Sequence, residues 1–353
     1  MKTKIAGMIV LLVVILAGSG YYIYQRNTEI TELNGYLGGE KIGLFEDEEI
    51  QEILQKQYHL KMDYSRAGSL DMITADQTYR NYLFPSSQTA LELYNEKYGK
   101  AVSDEIIFNT PIVLYTHKNV ADALTQAGVV SERDGVFYAD MKRLADLLET
   151  GTQWSEIGLN ELYGTISVDT TDPTKSNSGN MFAALLAIVL NDGKPVDMQS
   201  VDNVIPKLQE IFGRLGYMET SSSDLFNQFL RMGVGAKPMI VGYESQILEF
   251  AAENPDKYEK MKDDIVMLYP TPTVWSTHIY IALDEKGKAG IDALMDDRIQ
   301  ELAWEKHGFR TSEYDISSDG GAGNVGGVAK SLTSVINMPE YKVMKKIIDS
   351  LER

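Results

Sequence analysis

Five short clusters of small hydrogen-bonding residues stand where a strand-like run gives way to a helix-like one. They are Gly38-Gly39-Glu40, Gly68-Ser69, Pro85-Ser86-Ser87, Ser176-Asn177-Ser178-Gly179 and Gly242-Tyr243-Glu244. The first turn of a helix carries N–H groups with no intrahelical acceptor and a partial positive charge. Such a terminus can hold an anion or a polar solute without a cationic side chain. Each cluster also has a purely local reading, since Ser and Asn are ordinary N-caps worth ~1 kcal/mol of helix stability. The ligand reading rests on the set: Ser69, Ser86 or Ser87, and Ser178 fall in separate turns that a two-lobed fold can bring together. Tyr243 and Glu244 follow the buried-strand pattern "PMIVG". They either reach the same cleft or form a turn with an exposed carboxylate.

Other chemistries lack their residues. The chain has no cysteine, so disulfides, thiolate metal sites, cysteine nucleophiles and a lipid-modified cysteine are excluded. His59, His117, His278 and His307 show no i, i+3 or i+4 pairing and read as surface or hydrogen-bonded core residues, so no metal site is expected. The acidic run Glu46–Glu52 lacks the alternating oxygen ligands and glycine of a calcium loop and reads as a solvated helix face. No G-x-S-x-G, H-E-x-x-H or G-x-x-x-x-G-K-[ST] motif occurs, and no cofactor is implied. A net charge of −18 argues against nucleic acid, whose binding depends on Lys and Arg at phosphates. It leaves a small anion open, because backbone N–H groups suffice for one.

The elements that must position these clusters follow from periodicity. A length of 353 residues with 44% apolar content calls for more than one core. Strand-like runs, Ile30–Gly38 and Leu60–Gly68 first, alternate with helix-like runs such as "EDEEIQEILQKQY", "ADMKRLADLLETG" and "GIDALMDDRIQELAWEKHGF". "YGTISVD" reads as a strand before the Ser176 cluster. The pattern implies an α/β fold with largely parallel sheets. Two long β runs are broken by proline, one at Pro111 and one at Pro270 and Pro272. Proline is unfavourable within a central strand, so each break marks a crossing between lobes. The expected organisation is residues 29–110 for the first part of lobe one, 111–270 for lobe two and 271–315 for the return to lobe one. Residues 316–353 form a Gly-rich linker and a C-terminal helix. Trp275, beside the second crossing, reads as hinge packing, with a place in the cleft wall as the alternative, and Trp304 reads as core.

Ahead of the body, Lys2 and Lys4 precede an uncharged run from Ile5 to Tyr24. That is about the ~20 residues that span a bilayer core. Tyr21, Tyr22 and Tyr24 match an interfacial aromatic belt, and the flanking lysines favour a cytoplasmic N-terminus. Residues 1–28 are therefore expected to be a transmembrane anchor with an extracellular body. Signal-peptide cleavage near Ala17 and Ser19 is the alternative.

The stretches "GEKIGLFEDEEIQEIL", "YLFPSSQTALELY", "FNTPIVLYTHKNVADAL", "TTDPTKSNSGNMFAALLA", "MLYPTPTVWSTHIYIAL" and "IQELAWEKHGFR" together resemble bacterial extracellular solute-binding proteins. The similar subgroup is the two-lobed class II fold with two crossovers, which includes molybdate-, sulfate- and phosphate-type binders. The resemblance covers roughly Glu29 to Tyr314. It implies a cleft that closes on a small solute, an oxyanion among the candidates, and a permease or sensor as partner. Many such proteins are tethered by a lipidated cysteine, a job the apolar N-terminal run would do here. By position, Gly39, Glu40, Ser69, Ser86 and Ser87 would face Ser176, Asn177, Ser178, Gly179 and Tyr243, with Glu244 close by. Inward-pointing Glu40 or Glu244 would oppose an anion. An enzyme on the same fold, using Glu40 or Glu244 near Tyr243, and a ligand-free envelope scaffold are the competing readings.

Overall fold

The structure is a computed structural model that describes residues 29–311 and 325–352. The anchor expected at Ile5–Tyr24 and residues 316–324 of the Gly-rich linker lie outside the described residues. Among the described residues no helix is long and apolar enough to cross a membrane.

Among the described residues, nine strands run β1 Thr31–Leu37, β2 Leu60–Arg66, β3 Tyr82–Phe84, β4 Ser103–His117, β5 Val130–Arg133, β6 Val136–Asp140, β7 Met239–Tyr243, β8 Ile265–Thr271 and β9 Trp275–Ala282. Strand β4 is the spine of the molecule. Up to Pro111 it pairs with β9, and from Ile112 onward it pairs with β7 and then also β8. One lobe is built on β2-β1-β3-β9 and the first half of β4. The other is built on the second half of β4 with β7, β8, β6 and β5. The first lobe packs a core of Leu33, Leu37, Tyr82, Phe84, Phe108 and Phe309. The second packs around the helix Asn177–Leu190, in which every residue after Asn177 is buried. That helix is apolar on all sides, as a central helix must be.

Four expectations are corrected. The sheets are mixed, not largely parallel: of the strand pairs among the described residues, β1/β2, β1/β3 and β6/β8 are parallel and the rest antiparallel. The crossing strands β4 and β9 run antiparallel and bring antiparallel neighbours with them. Pro111 does not interrupt the chain's extended course. It sits inside one continuous strand at the point of partner exchange, where a missing N–H costs the ladder least. "YGTISVD" is not a strand. It makes isolated bridges at Thr165 and Asp169, and its alternation serves to bury Ile166 and Val168 in the second lobe. The single helix expected after Gly290 is two, Lys288–Leu294 and Asp297–His307. Asp296 caps the second by accepting from the N–H groups of Arg298 and Ile299.

The C-terminal segment returns across the second crossing. Thr273 donates its N–H to Ser334 and accepts from Ile336, both at 2.9 Å. The helix Tyr341–Leu351 then buries Val343, Met344, Ile347, Ile348 and Leu351 in the second lobe.

Candidate functional site

A cleft of about 310 Å³ lies between the lobes. Its first wall is the turn after β1 (Gly38, Gly39, Glu40) and the turn after β2 (Arg66 to Ser69, with Asp71). Its second wall is the start of the helix Asn177–Leu190 (Lys175, Ser176, Asn177), the start of the helix Ser222–Met232 (Thr220, Ser221, Ser222, Asp224) and Tyr243. Neither helix has a side-chain cap. The N–H groups of Asn177 and Ser178, and of Ser222 and Ser223, meet no acceptor among the described residues. These are the donors that helix geometry leaves over.

Glycine lets the walls approach. A Cβ on Gly68 would lie 2.4 Å from the Lys175 carbonyl oxygen on the opposite wall. Asn177 Nδ2 reaches across to donate to the Ser86 carbonyl at 2.8 Å and to the Tyr243 hydroxyl at 3.1 Å. Arg66 and Asp224 form an ion pair at 3.3 Å between the lobes. Leu70 packs against the cores of both.

Beneath the cleft lies a buried polar cluster. The Lys41 ammonium is fully buried and donates to Glu40 Oε1 at 2.5 Å and to Ser86 Oγ at 2.6 Å. It also contacts His278 Nδ1 at 3.2 Å and sits 5.0 Å above the Phe84 ring. Ser86 Oγ donates to Glu40 Oε1 as well. Burial alone would raise the Glu40 pKa. The Lys41 charge, with hydrogen bonds from Lys41 and Ser86, outweighs burial and holds the carboxyl at about 2. Burial lowers Lys41, and the Glu40 charge partly restores it. Burial and the Lys41 charge push His278 well below its ordinary range, so its ring is neutral and Nδ1 accepts. Burial keeps the Tyr243 hydroxyl protonated.

Of the residues singled out by sequence, Gly39, Glu40, Ser69, Ser176, Asn177 and Tyr243 line the cleft. Ser86, Ser87, Ser178 and Gly179 lie behind it. Ser86 belongs to the Lys41 cluster, and Ser87 is the N-cap of the helix Gln88–Tyr98. Ser178 Oγ pairs with Thr171 Oγ1 at 2.7 Å. A Cβ on Gly179 would fall 2.2 Å from the Thr171 carbonyl oxygen, so this glycine serves a close approach of backbone. Glu244 corrects the expectation that it points toward the cleft. It is fully buried, with its carboxylate held by Arg310 at 2.6 and 2.8 Å and by the Tyr269 hydroxyl. Trp275 lies at the crossing, beneath the Arg310 guanidinium at 5.9 Å.

Sequence reasoning missed Lys41, Arg66, Asp71, Lys175 and the Ser221-Ser222 turn. The last carried a readable signal, because "TSSSDLF" sets a run of capping residues before an amphipathic helix as the Ser176 cluster does. Lys41 follows Glu40 directly, yet nothing local marks a lysine for burial.

No protein-family model and no curated protein matches the chain. Solved structures do. A periplasmic thiamin-binding protein is similar over 91% of this chain and 95% of its own, with a TM-score of 0.62 at 10% identity. The periplasmic binding protein AfuA from Actinobacillus pleuropneumoniae, with fructose-6-phosphate bound, is similar over 90% and 96%, with a TM-score of 0.56 at 10% identity. The sulfate-binding protein SubI from Mycobacterium tuberculosis H37Rv is similar over 81% and 88%, with a TM-score of 0.52 at 16% identity. The chain therefore has the two-lobed α/β fold of extracellular solute-binding proteins.

Proposed function

We propose that this protein captures a small solute in the interlobe cleft for transport or sensing. In this reading residues 29–110 and 271–315 form one lobe and 111–270 the other. Closure turns about Thr110–Pro111 and Tyr269–Thr273, as in hinge-closing binding proteins. The body is extracellular and held at the membrane by the apolar run in residues 1–28, and its closed form is read by a permease or a sensor.

The observation that carries the reading is the cleft itself. Two helices of the second lobe direct partnerless first-turn N–H groups at a space whose other wall is made of turns from the first. Its volume of about 310 Å³ sits at the small end of ligand pockets. An anionic group of the solute belongs at those N–H groups. The neighbours named for sulfate and for fructose-6-phosphate accord with that placement. Binding is favoured over turnover, because Glu40 is held at about 2 and Glu244 is locked to Arg310. Neither is free to act as a general acid or base near neutrality.

Native mass spectrometry of the purified chain is expected to show a co-purifying small molecule. Thermal-shift screens against sulfate, phosphate, amino acids, sugars and thiamin are expected to give at least one stabilising hit. No bound mass and a flat screen would overturn the reading and favour a scaffold.

Gly68→Val tests closure separately. Its side chain has no room against the Lys175 carbonyl, so the lobes should remain apart. Small-angle scattering should show a larger radius of gyration, and affinity for any hit should fall roughly tenfold or more. Unchanged scattering and affinity would remove this contact from the closing motion. Protease shaving of whole cells should cut the body; an intact body would refute the extracellular placement.

A further inference from the structure

The charges facing the cleft narrow the solute class, an inference that rests on the solute-binding reading above. Five charged groups line it. Arg66 and Lys175 are cationic, and Glu40, Asp71 and Asp224 are anionic. Arg66 is paired with Asp224, and Glu40 with the buried Lys41 just below. With Lys41 counted, three cations meet three carboxylates, and the cleft has no net charge.

Glu40 adds a more specific demand. Its side chain is nine-tenths buried and lines the cleft. Oε1 takes the Lys41 and Ser86 donors, while Oε2 has no hydrogen-bond donor among the described residues. Oε2 thus opens on the cleft as a negatively charged acceptor, and a donor on a bound solute takes the place of water there. At the other wall the N–H groups of Asn177, Ser178, Ser222 and Ser223 call for an acceptor, best of all an anion. A bare sulfate would satisfy the second wall and be repelled at the first. A neutral polyol would satisfy the first but waste the dipoles of two helices, and Tyr243, the aromatic residue in the lining, is only 1% exposed and offers little face on which a sugar ring could stack.

We infer that the solute is a compact zwitterion: an ammonium group set against Glu40 Oε2, and a carboxylate or phosphonate at the first turns of the helices Asn177–Leu190 and Ser222–Met232. Small amino acids and aminoalkylphosphonates have this chemistry. Glu40 and Lys41 together form a floor with no net charge, whose open acceptor Oε2 favours a solute that carries a donor over a simple oxyanion.

The test is calorimetric titration of the full-length protein with L-alanine, L-serine and 2-aminoethylphosphonate as zwitterions, sulfate and phosphate as oxyanions, and glycine betaine as a zwitterion with no ammonium proton. At least one protonated zwitterion is expected to bind roughly tenfold or more tightly than either oxyanion, and betaine weakly. Glu40→Gln leaves Lys41 without its counter-charge; this variant should lose zwitterion affinity roughly tenfold and gain affinity for sulfate. Asp224→Asn, at an exposed position, guards against a folding defect in Glu40→Gln and should shift the preference the same way by a smaller factor. Tighter binding of sulfate or phosphate than of any zwitterion by the wild-type protein overturns the zwitterion assignment and leaves solute capture standing. Binding by no probe of either class, with a flat wider screen, removes both.

Discussion

Arg310→Ala is expected to destabilise the protein by about 3–5 kcal/mol, the cost of leaving one partner of a buried ion pair alone. Glu244 is fully buried and makes both of its carboxylate oxygens available to the guanidinium. Tyr269 adds a third donor, and Arg310 donates onward to the Ala329 carbonyl at 2.6 Å. Removing the guanidinium strands a fully buried carboxylate without its counter-charge. It also unties three separated parts of the chain: the start of the helix Glu244–Glu253, the end of β8 and the C-terminal segment. Glu244→Ala should cost a similar amount. The joint replacement Glu244→Leu with Arg310→Met should cost clearly less than the sum, because no charge is then left unpaired. Urea unfolding of the four proteins measures this. A loss below about 1 kcal/mol for Arg310→Ala would place the pair among surface bridges and refute its buried role.

Lys41→Met is the second large effect and reverses a pH dependence. In the wild-type protein the Glu40 pKa is held at about 2 against its ordinary 4.5. Its contribution is thus complete above about pH 4.5 and is lost as the pH falls toward 2. Without the ammonium, burial is the main influence left on Glu40, and its pKa moves up. Lys41→Met should then be destabilised by about 3–5 kcal/mol at pH 7. The gap from wild type should narrow steadily between pH 5 and pH 3, as the orphaned carboxylate takes up a proton and its counterpart in the wild type loses its advantage. Urea midpoints at pH 7, 5 and 3 read the gap directly. A gap that stays constant over this range would show that Glu40 does not depend on Lys41 for its charge. His278, whose Nδ1 loses its donor in the variant, gives a second readout by its NMR titration.

The alternation of strands and helices was legible because period and capping are local properties. Asp47, Asp140 and Asp296 cap helices through their own side chains, and Gly151 and Gly308 end them in the left-handed conformation. The resemblance to two-lobed binding proteins followed from the order of those elements and the closing helix that ends in Gly308-Phe309. The polar turns were legible as a set for the same reason. "YGTISVD" misled because a period of two records which side chains are buried, not whether a neighbouring strand is there to bond.

By itself, then, the sequence determined most of the helices and strands, the absence of cysteine chemistry, and the turns rich in small polar residues. The tertiary structure alone decided which of those residues face the cleft. Ser176 and Asn177 line it while Ser178 is buried, since each step along a helix turns the side chain by about 100°. It also decided what each charge means. Glu40 became half of a neutral pair with Lys41, and Glu244 was claimed by Arg310, 66 residues away. A carboxylate's role depends on the burial and the partners around it, and those come from elements distant in the chain.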